Sequence, residues 1–220
     1  MNSKAIFRAA VAAAVLLTAS LCMAQGFGGM MMMGRSNTLA LLQRDDVQTD
    51  LALTGDQKSK LQTLLQNLQD KRREMIQEAR DNGGDFNSVR EQMTKLQDGA
   101  EKQANEILTP AQQKRVKEIG IQVDGNRSIL RADIQKDLGI TDEQKKKIAD
   151  IQAKSQADMQ AYFEEMRNSG SFDRDAIQAE MKKRNDKLSE ELGKVLTAEQ
   201  AKKLKEMGGK EFKQKTGVGG

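Results

Sequence analysis

Residues 50–58 read Asp50-Leu51-Ala52-Leu53-Thr54-Gly55-Asp56-Gln57-Lys58, and 87 residues later the chain reads Asp137-Leu138-Gly139-Ile140-Thr141-Asp142-Glu143-Gln144-Lys145. The same offset carries Val47 to Ile134, Leu61 to Ile148 and Arg80 to Arg167. A second stretch, Leu108-Thr109-Pro110-Ala111-Gln112, returns 88 residues later as Leu196-Thr197-Ala198-Glu199-Gln200. Val116 then maps to Leu204, and Ile119-Gly120 to Met207-Gly208. Matches kept in order at one period indicate a unit written twice. The one-residue change in offset falls in a Gly-containing loop, where length changes are tolerated.

Each stretch carries an aliphatic residue followed by Thr-x-x-Gln, a capping box. The Thr hydroxyl accepts from the backbone N–H three residues on, and the Gln side chain returns to the Thr N–H. Thr54, Thr109, Thr141 and Thr197 are therefore predicted N-caps, with Gln57, Gln112, Gln144 and Gln200 as reciprocal partners. Pro110 falls at the first helical position, where its missing N–H does no harm. The preceding Leu53, Leu108, Ile140 and Leu196 look like halves of a hydrophobic staple. The partner positions hold Lys58, Gln113, Lys145 and Ala201, so the aliphatic residues are expected to pack elsewhere.

Working outward, each unit reads as four helices. In the first, a short helix covers about Leu39 to Asp50 and a long one about Gly55 to Asp81. Asn82-Gly83-Gly84 breaks the long helix. A third helix spans about Ser88 to Ile107, and a fourth starts at Pro110 and ends near Gly125. In the second unit Ile129, Leu130, Ile134 and Leu138 mark the short helix, with Gly139 as its C-terminal cap. Ser169-Gly170-Ser171 is the corresponding break. Arg184 stands where the first unit has Leu96, which makes that seam partly wet or partner-facing. The expected class is all-α: elongated hairpins in two tandem four-helix units, residues 39–125 and 126–212, with a loose tail over 213–220.

The first 24 residues read as a signal peptide. Lys4 and Arg8 precede an uncharged apolar run, Ala9 to Leu21, and Cys22-Met23-Ala24 offers small residues before Gln25. Acylation of Cys22 requires a small residue before it, and Leu21 stands there. Residues 25–38 read as a Gly/Met-rich flexible tether. Met30 to Met33 present soft thioethers of the kind that suit Cu(I), but no His or Cys supports them and no metal or cofactor is assigned. Loss of Lys4 and Arg8 takes the formal charge from +4 to +2. With no His and with Cys22 the single cysteine, imidazole and thiolate metal sites, disulfides and Ser-His or Cys-His nucleophiles are excluded. Only 37% of residues are hydrophobic and 3% aromatic, too little for one compact core and consistent with long amphipathic helices in an open assembly.

Paired aliphatic-Thr-x-x-Gln motifs at the ends of a helical hairpin, behind a signal peptide, resemble the Spy/CpxP group of periplasmic proteins. The resemblance covers about residues 39 to 212. It implies ATP-independent, chaperone-like binding of non-native proteins. The alternative is an envelope-stress adaptor for a sensor protein, or a metal-responsive module of the same fold. The best-known form in the group is a thin, curved antiparallel homodimer. Two units in one chain suggest a pseudo-twofold curved monomer, with a homodimer as the alternative.

Adjacent acids at Asp45-Asp46, Glu164-Glu165 and Glu190-Glu191 read as solvated helix faces, since neighbours on a helix diverge by about 100°. Asp81-Asn82-Gly83-Gly84-Asp85 lacks EF-hand ligand spacing and reads as a turn. Basic clusters at Lys58/Lys60, Lys71-Arg72-Arg73, Lys145-Lys146-Lys147 and Lys182-Lys183-Arg184 interleave with acids and lack stacking aromatics, which argues against nucleic acid. Met75, Met93, Met159, Met166 and Met181 fall on apolar faces of the long helices. They read either as core packing, the favoured reading, or as an adaptable surface for varied clients. Arg80 and Arg167 complement helix C-termini, and Phe86 and Phe172 read as hairpin plugs.

Overall fold

The computed structural model describes residues 38–81, 86–170 and 173–214. The expectations for the leader, for Met30 to Met33, for the loop after Asp81 and for Phe172 lie outside these residues, as does that for the Phe86 side chain. In chain order the elements are α1 (Thr38–Leu42), α2 (Asp45–Asp50), α3 (Gly55–Asp81), α4 (Phe86–Ile107) and α5 (Pro110–Asp124), a 3₁₀ turn (Gly125–Leu130), α6 (Ala132–Leu138), α7 (Asp142–Ser169), α8 (Arg174–Gly193) and α9 (Ala198–Met207). The described residues contain no strand, so the chain is all-α.

Two antiparallel hairpins, α3–α4 and α7–α8, hold most of the helical residues described. The 27 residues of α3 reach about 40 Å at the helical rise. Each hairpin starts at a Thr cap and closes against the short helices. The first core joins Leu39, Leu42, Val47, Leu61, Leu64, Leu68, Ala104 and Ile119. The second joins Ile121, Ile129, Ile134, Ile148, Leu192 and Leu204. Both cores lie towards the bases of the hairpins, where the short helices and α5 or α9 add a second layer.

The short helix expected over Leu39 to Asp50 is two helices. Arg44 sits in extended backbone (φ −85, ψ 128) and breaks it. The Arg44 guanidinium then forks onto the Asp46 carboxylate at 3.0 and 2.7 Å. The same device recurs 87 residues on: Arg131 is extended (φ −88, ψ 131) and forks onto Asp133 at 3.1 and 2.9 Å. Gln48 Nε2 donates to the Leu42 carbonyl and Gln135 Nε2 to that of Ile129, again 87 residues apart. The sequence pattern hides this break because the apolar period runs through it. Gly139 takes the left-handed conformation (φ 65) as expected of a C-terminal cap, and Ile140 N–H bonds back to the Gln135 carbonyl. Ala52 holds the matching position at φ 48, with Leu53 N–H bonded back to Gln48.

Residues belonging to the two sequence units pack together. Lys117 on α5 reaches Asp133 at 3.1 Å and Asp137 at 2.8 Å on α6. Burial works against the Lys117 charge, but the bonds from Asp137 and Asp133 outweigh it and raise its pKa. Burial likewise opposes ionisation of Asp133, and the Arg131 and Lys117 bonds outweigh it to hold the carboxyl below its ordinary value. Phe212, from the end of the chain, is buried in the first core.

Candidate functional site

The four Thr-x-x-Gln motifs lie at the hairpin bases, and each makes both bonds of a capping box. Thr54 Oγ1 accepts from Gln57 N–H at 3.2 Å while Gln57 Oε1 accepts from Thr54 N–H at 3.1 Å. The same pair closes at Thr109 with Gln112, at Thr141 with Gln144 and at Thr197 with Gln200. Leu53, Leu108 and Ile140 are buried, and Leu196 is half-buried against the second core. In each box the Thr hydroxyl and the Gln Oε1 accept from backbone N–H groups at the start of the helix.

The glutamines do more than cap. Gln57 Nε2 crosses the hairpin to the Ile107 carbonyl at 3.0 Å and to Gln112 Oε1 at 2.7 Å. Gln144 Nε2 does the same to the Val195 carbonyl at 2.9 Å and to Gln200 Oε1 at 2.7 Å. Each motif therefore fixes its own helix start and ties it to the other motif of its hairpin. The capping pattern is local and legible in sequence. The cross-hairpin pairing joins residues 55 or 56 apart, and only the recurrence of Gln in all four motifs hinted at it.

Beyond the cores the hairpins continue as two-helix arms. Met75, Met93, Met159, Met166 and Met181 all lie on these arms, and all five are half-buried. This corrects the favoured core reading: the buried hydrophobic residues are Leu, Ile, Val, Ala and Phe, with no methionine among them. A two-helix arm buries only the seam between its helices, and neighbouring positions stay half covered. Ile76, Val89, Ile151, Tyr162 and Ile177 share that half-buried state.

Arg184 lies across the seam of the second arm. Its guanidinium stands 4.8 Å from the centre of the Tyr162 ring, donates to the Asp158 carbonyl at 3.0 Å and pairs with Glu180 at 2.9 Å. On the first arm Arg72 crosses instead, to Gln97 Oε1 at 2.8 Å. Members of the basic clusters pair locally: Lys60 with Asp56, Arg73 with Asp70, Lys145 with Asp142, Lys147 with Glu143 and Lys182 with Asp186. Asp46, read as a solvated acid, is instead 9% exposed and held by Arg44 and by Val47 N–H.

Among the described residues no group of three or more His, Cys, Asp or Glu is arranged to hold a metal ion, and no helix is long and apolar enough to cross a membrane. The open grooves among the described residues include two of about 390 Å³ each. One lies against the base of the first hairpin, lined by Asp56, Lys60, Leu64 and Glu106 among others. The other lies between α2 and the segment around Phe212. Neither encloses a reactive constellation. No known family, curated protein or solved structure matches the chain.

Proposed function

We propose that the chain is a periplasmic, ATP-independent chaperone-like protein that holds non-native proteins on its hairpin arms, in the manner of the Spy/CpxP group that its motifs resemble. The observation that carries the reading is the half-covered apolar surface of the arms. Met75, Met93, Met159, Met166 and Met181 sit half-covered there, beside Ile76, Val89, Tyr162 and Ile177, while the buried cores towards the bases hold no methionine. Unbranched, polarizable methionine adapts to irregular apolar partners, and surrounding charges of both signs keep such a surface in solution.

Capture is then charge-steered encounter followed by shallow apolar contact, and release follows from weak affinity. The tandem arrangement supplies two such arms in one chain. Its support is the recurrence, at one offset, of the Arg–Asp fork, the Gln-to-carbonyl bond and the Gln–Gln lock. Export through residues 1–24 belongs to the same proposal and accounts for a leader-like start.

The test is aggregation of an unrelated, chemically denatured protein followed by light scattering, without nucleotide. Scattering should fall at a near-equimolar ratio of the mature chain. No effect at several-fold excess overturns the proposal.

A further inference from the structure

The chain does not stop at α9. Gly209 turns it with φ 65, and the following residues run without regular structure back across α5. Two side chains of α5 bond to their backbone. Gln122 Oε1 accepts from Phe212 N–H at 2.8 Å, while Gln122 Nε2 donates to the Lys210 carbonyl at 2.7 Å and to the Gly208 carbonyl. Arg115 Nη1 also donates to the Lys210 carbonyl, at 2.7 Å. These contacts are made to backbone groups, and such contacts recognise any sequence.

Only one side chain of the segment is anchored. Phe212 is 7% exposed and packs in the first core, with the Arg44 guanidinium 5.6 Å from its ring centre. Lys210, Glu211 and Lys213 stay exposed. The groove beside the segment has Asp46 and Asp50 on its α2 side and Lys210 and Lys213 on the other. The second half of the chain has no equivalent, because the residue matched to Gln122 at the 88-residue offset is Lys210 itself.

We infer that the seat made by α5, Arg44 and the first core is a binding site for a polypeptide segment with an aromatic anchor and flanking lysines, and that Gly208–Lys213 occupies it as an internal competitor. The seat satisfies backbone groups and buries one ring, and Asp46 and Asp50, themselves paired with Arg44 and Arg115, line the groove beside its lysines. That specification suits exposed segments of unfolded proteins, so the inference rests on the proposed function for where the segment comes from. It adds a second, aromatic-selective subsite at the base, away from the methionine arms.

The probe is a fluorescent peptide with the sequence of residues 208–213, titrated by anisotropy against the mature chain and its Phe212→Ala variant. The variant should bind the peptide at least tenfold more tightly than the unsubstituted chain. Adding Gln122→Ala should abolish the gain, as should a peptide with Ala in place of its Phe, and a peptide with Glu for both Lys should bind several-fold more weakly. A folded Phe212→Ala chain that binds no better than the original overturns the inference. So does a concentration-dependent dimer with no peptide binding, which would mean that the site takes only a second copy's segment. If Phe212→Ala unfolds, hydrogen exchange on the unsubstituted chain decides. Excess peptide should speed exchange at the Phe212 amide several-fold and leave Ile119 unchanged, and no change at Phe212 overturns the inference. Aggregation suppression that survives in the absence of peptide binding leaves the arms as the capture surface and removes only this subsite.

Discussion

The two hairpins share a frame and differ in filling. In α3–α4 the seam is aliphatic well past the base: Leu61, Leu64 and Leu68 are buried, and Ala100 and Ala104 face them in the same core. At the offset-matched positions of α7–α8 stand Ile148, Ile151, Ser155, Leu188 and Leu192, of which only Ile148 and Leu192 are buried. Further out the second arm turns aromatic and cationic, with Tyr162, Phe163 and Arg184 where the first has Met75, Ile76 and Leu96. At the bases, by contrast, the capping boxes, the Arg–Asp fork and the Gln57–Gln112 and Gln144–Gln200 locks recur, while the Arg115–Asp50 pair belongs to the first base alone among the described residues. Helix starts and registers are thus fixed by hydrogen bonds that tolerate little change. The arms meet only a looser demand, for apolar residues at helical spacing.

The largest expected effect breaks the difference in seam filling. Leu68→Ala should cost about 2–3 kcal/mol by leaving a cavity, whereas Ser155→Ala at the matched position should move stability by less than about 0.5 kcal/mol. Urea denaturation of both variants checks this. Equal effects would mean that the two seams are packed alike.

Removing a lock should act alike on both hairpins. Gln144→Ala and Gln57→Ala each lose one half of a capping box and the cross-hairpin bond, for about 1–2 kcal/mol apiece. The Thr54→Ala and Thr141→Ala variants lose the cap alone and should cost about 1 kcal/mol. A large disparity between the hairpins would break the equivalence of the bases.

The smaller effects sharpen the comparison at Ala52 and Gly139. Both positions have positive φ, which costs an L-residue about 1–2 kcal/mol. Gly139→Ala should therefore destabilise by about 1 kcal/mol, and Ala52→Gly should be neutral or slightly stabilising after the entropy that glycine gains when unfolded. Thermal melts of the two variants should move in opposite directions, or only the first should move.

The ion pairs at the bases add a pH dependence. Arg115 bonds to Asp50 and holds its carboxyl below the ordinary value, and Asp133 is lowered as well. A group whose folded pKa is depressed contributes stability above its unfolded value and loses it as pH falls through the folded value. Melting temperature should therefore hold near neutrality and drop below about pH 4. Asp50→Asn and Asp133→Asn should flatten that drop. Lys117, with its raised pKa, contributes below its unfolded value and loses that contribution only at strongly alkaline pH.

The sequence made some layers legible and hid others. Helix spans and caps follow from local chemistry: Thr-x-x-Gln acts over four residues, and apolar period marks the long helices to within a residue or two of α3, α4 and α5. The break at Arg44 escaped because the same apolar residues serve two short helices as well as one. The docking of Phe212 escaped because a single aromatic in a polar stretch has no period, and its partner Gln122 lies 90 residues away. The methionines were placed on the correct elements but assigned to the core. A helical wheel gives the face a residue lies on, and does not tell how many layers will cover it.

The most direct measurement of the central claim separates bases from arms. Met75, Met93, Met159, Met166 and Met181 are replaced together by Gln, and melting temperature is measured alongside suppression of aggregation. The account predicts a folded chain whose melting temperature falls by only a few degrees while suppression is largely lost. Suppression retained at full strength in a folded variant would contradict it.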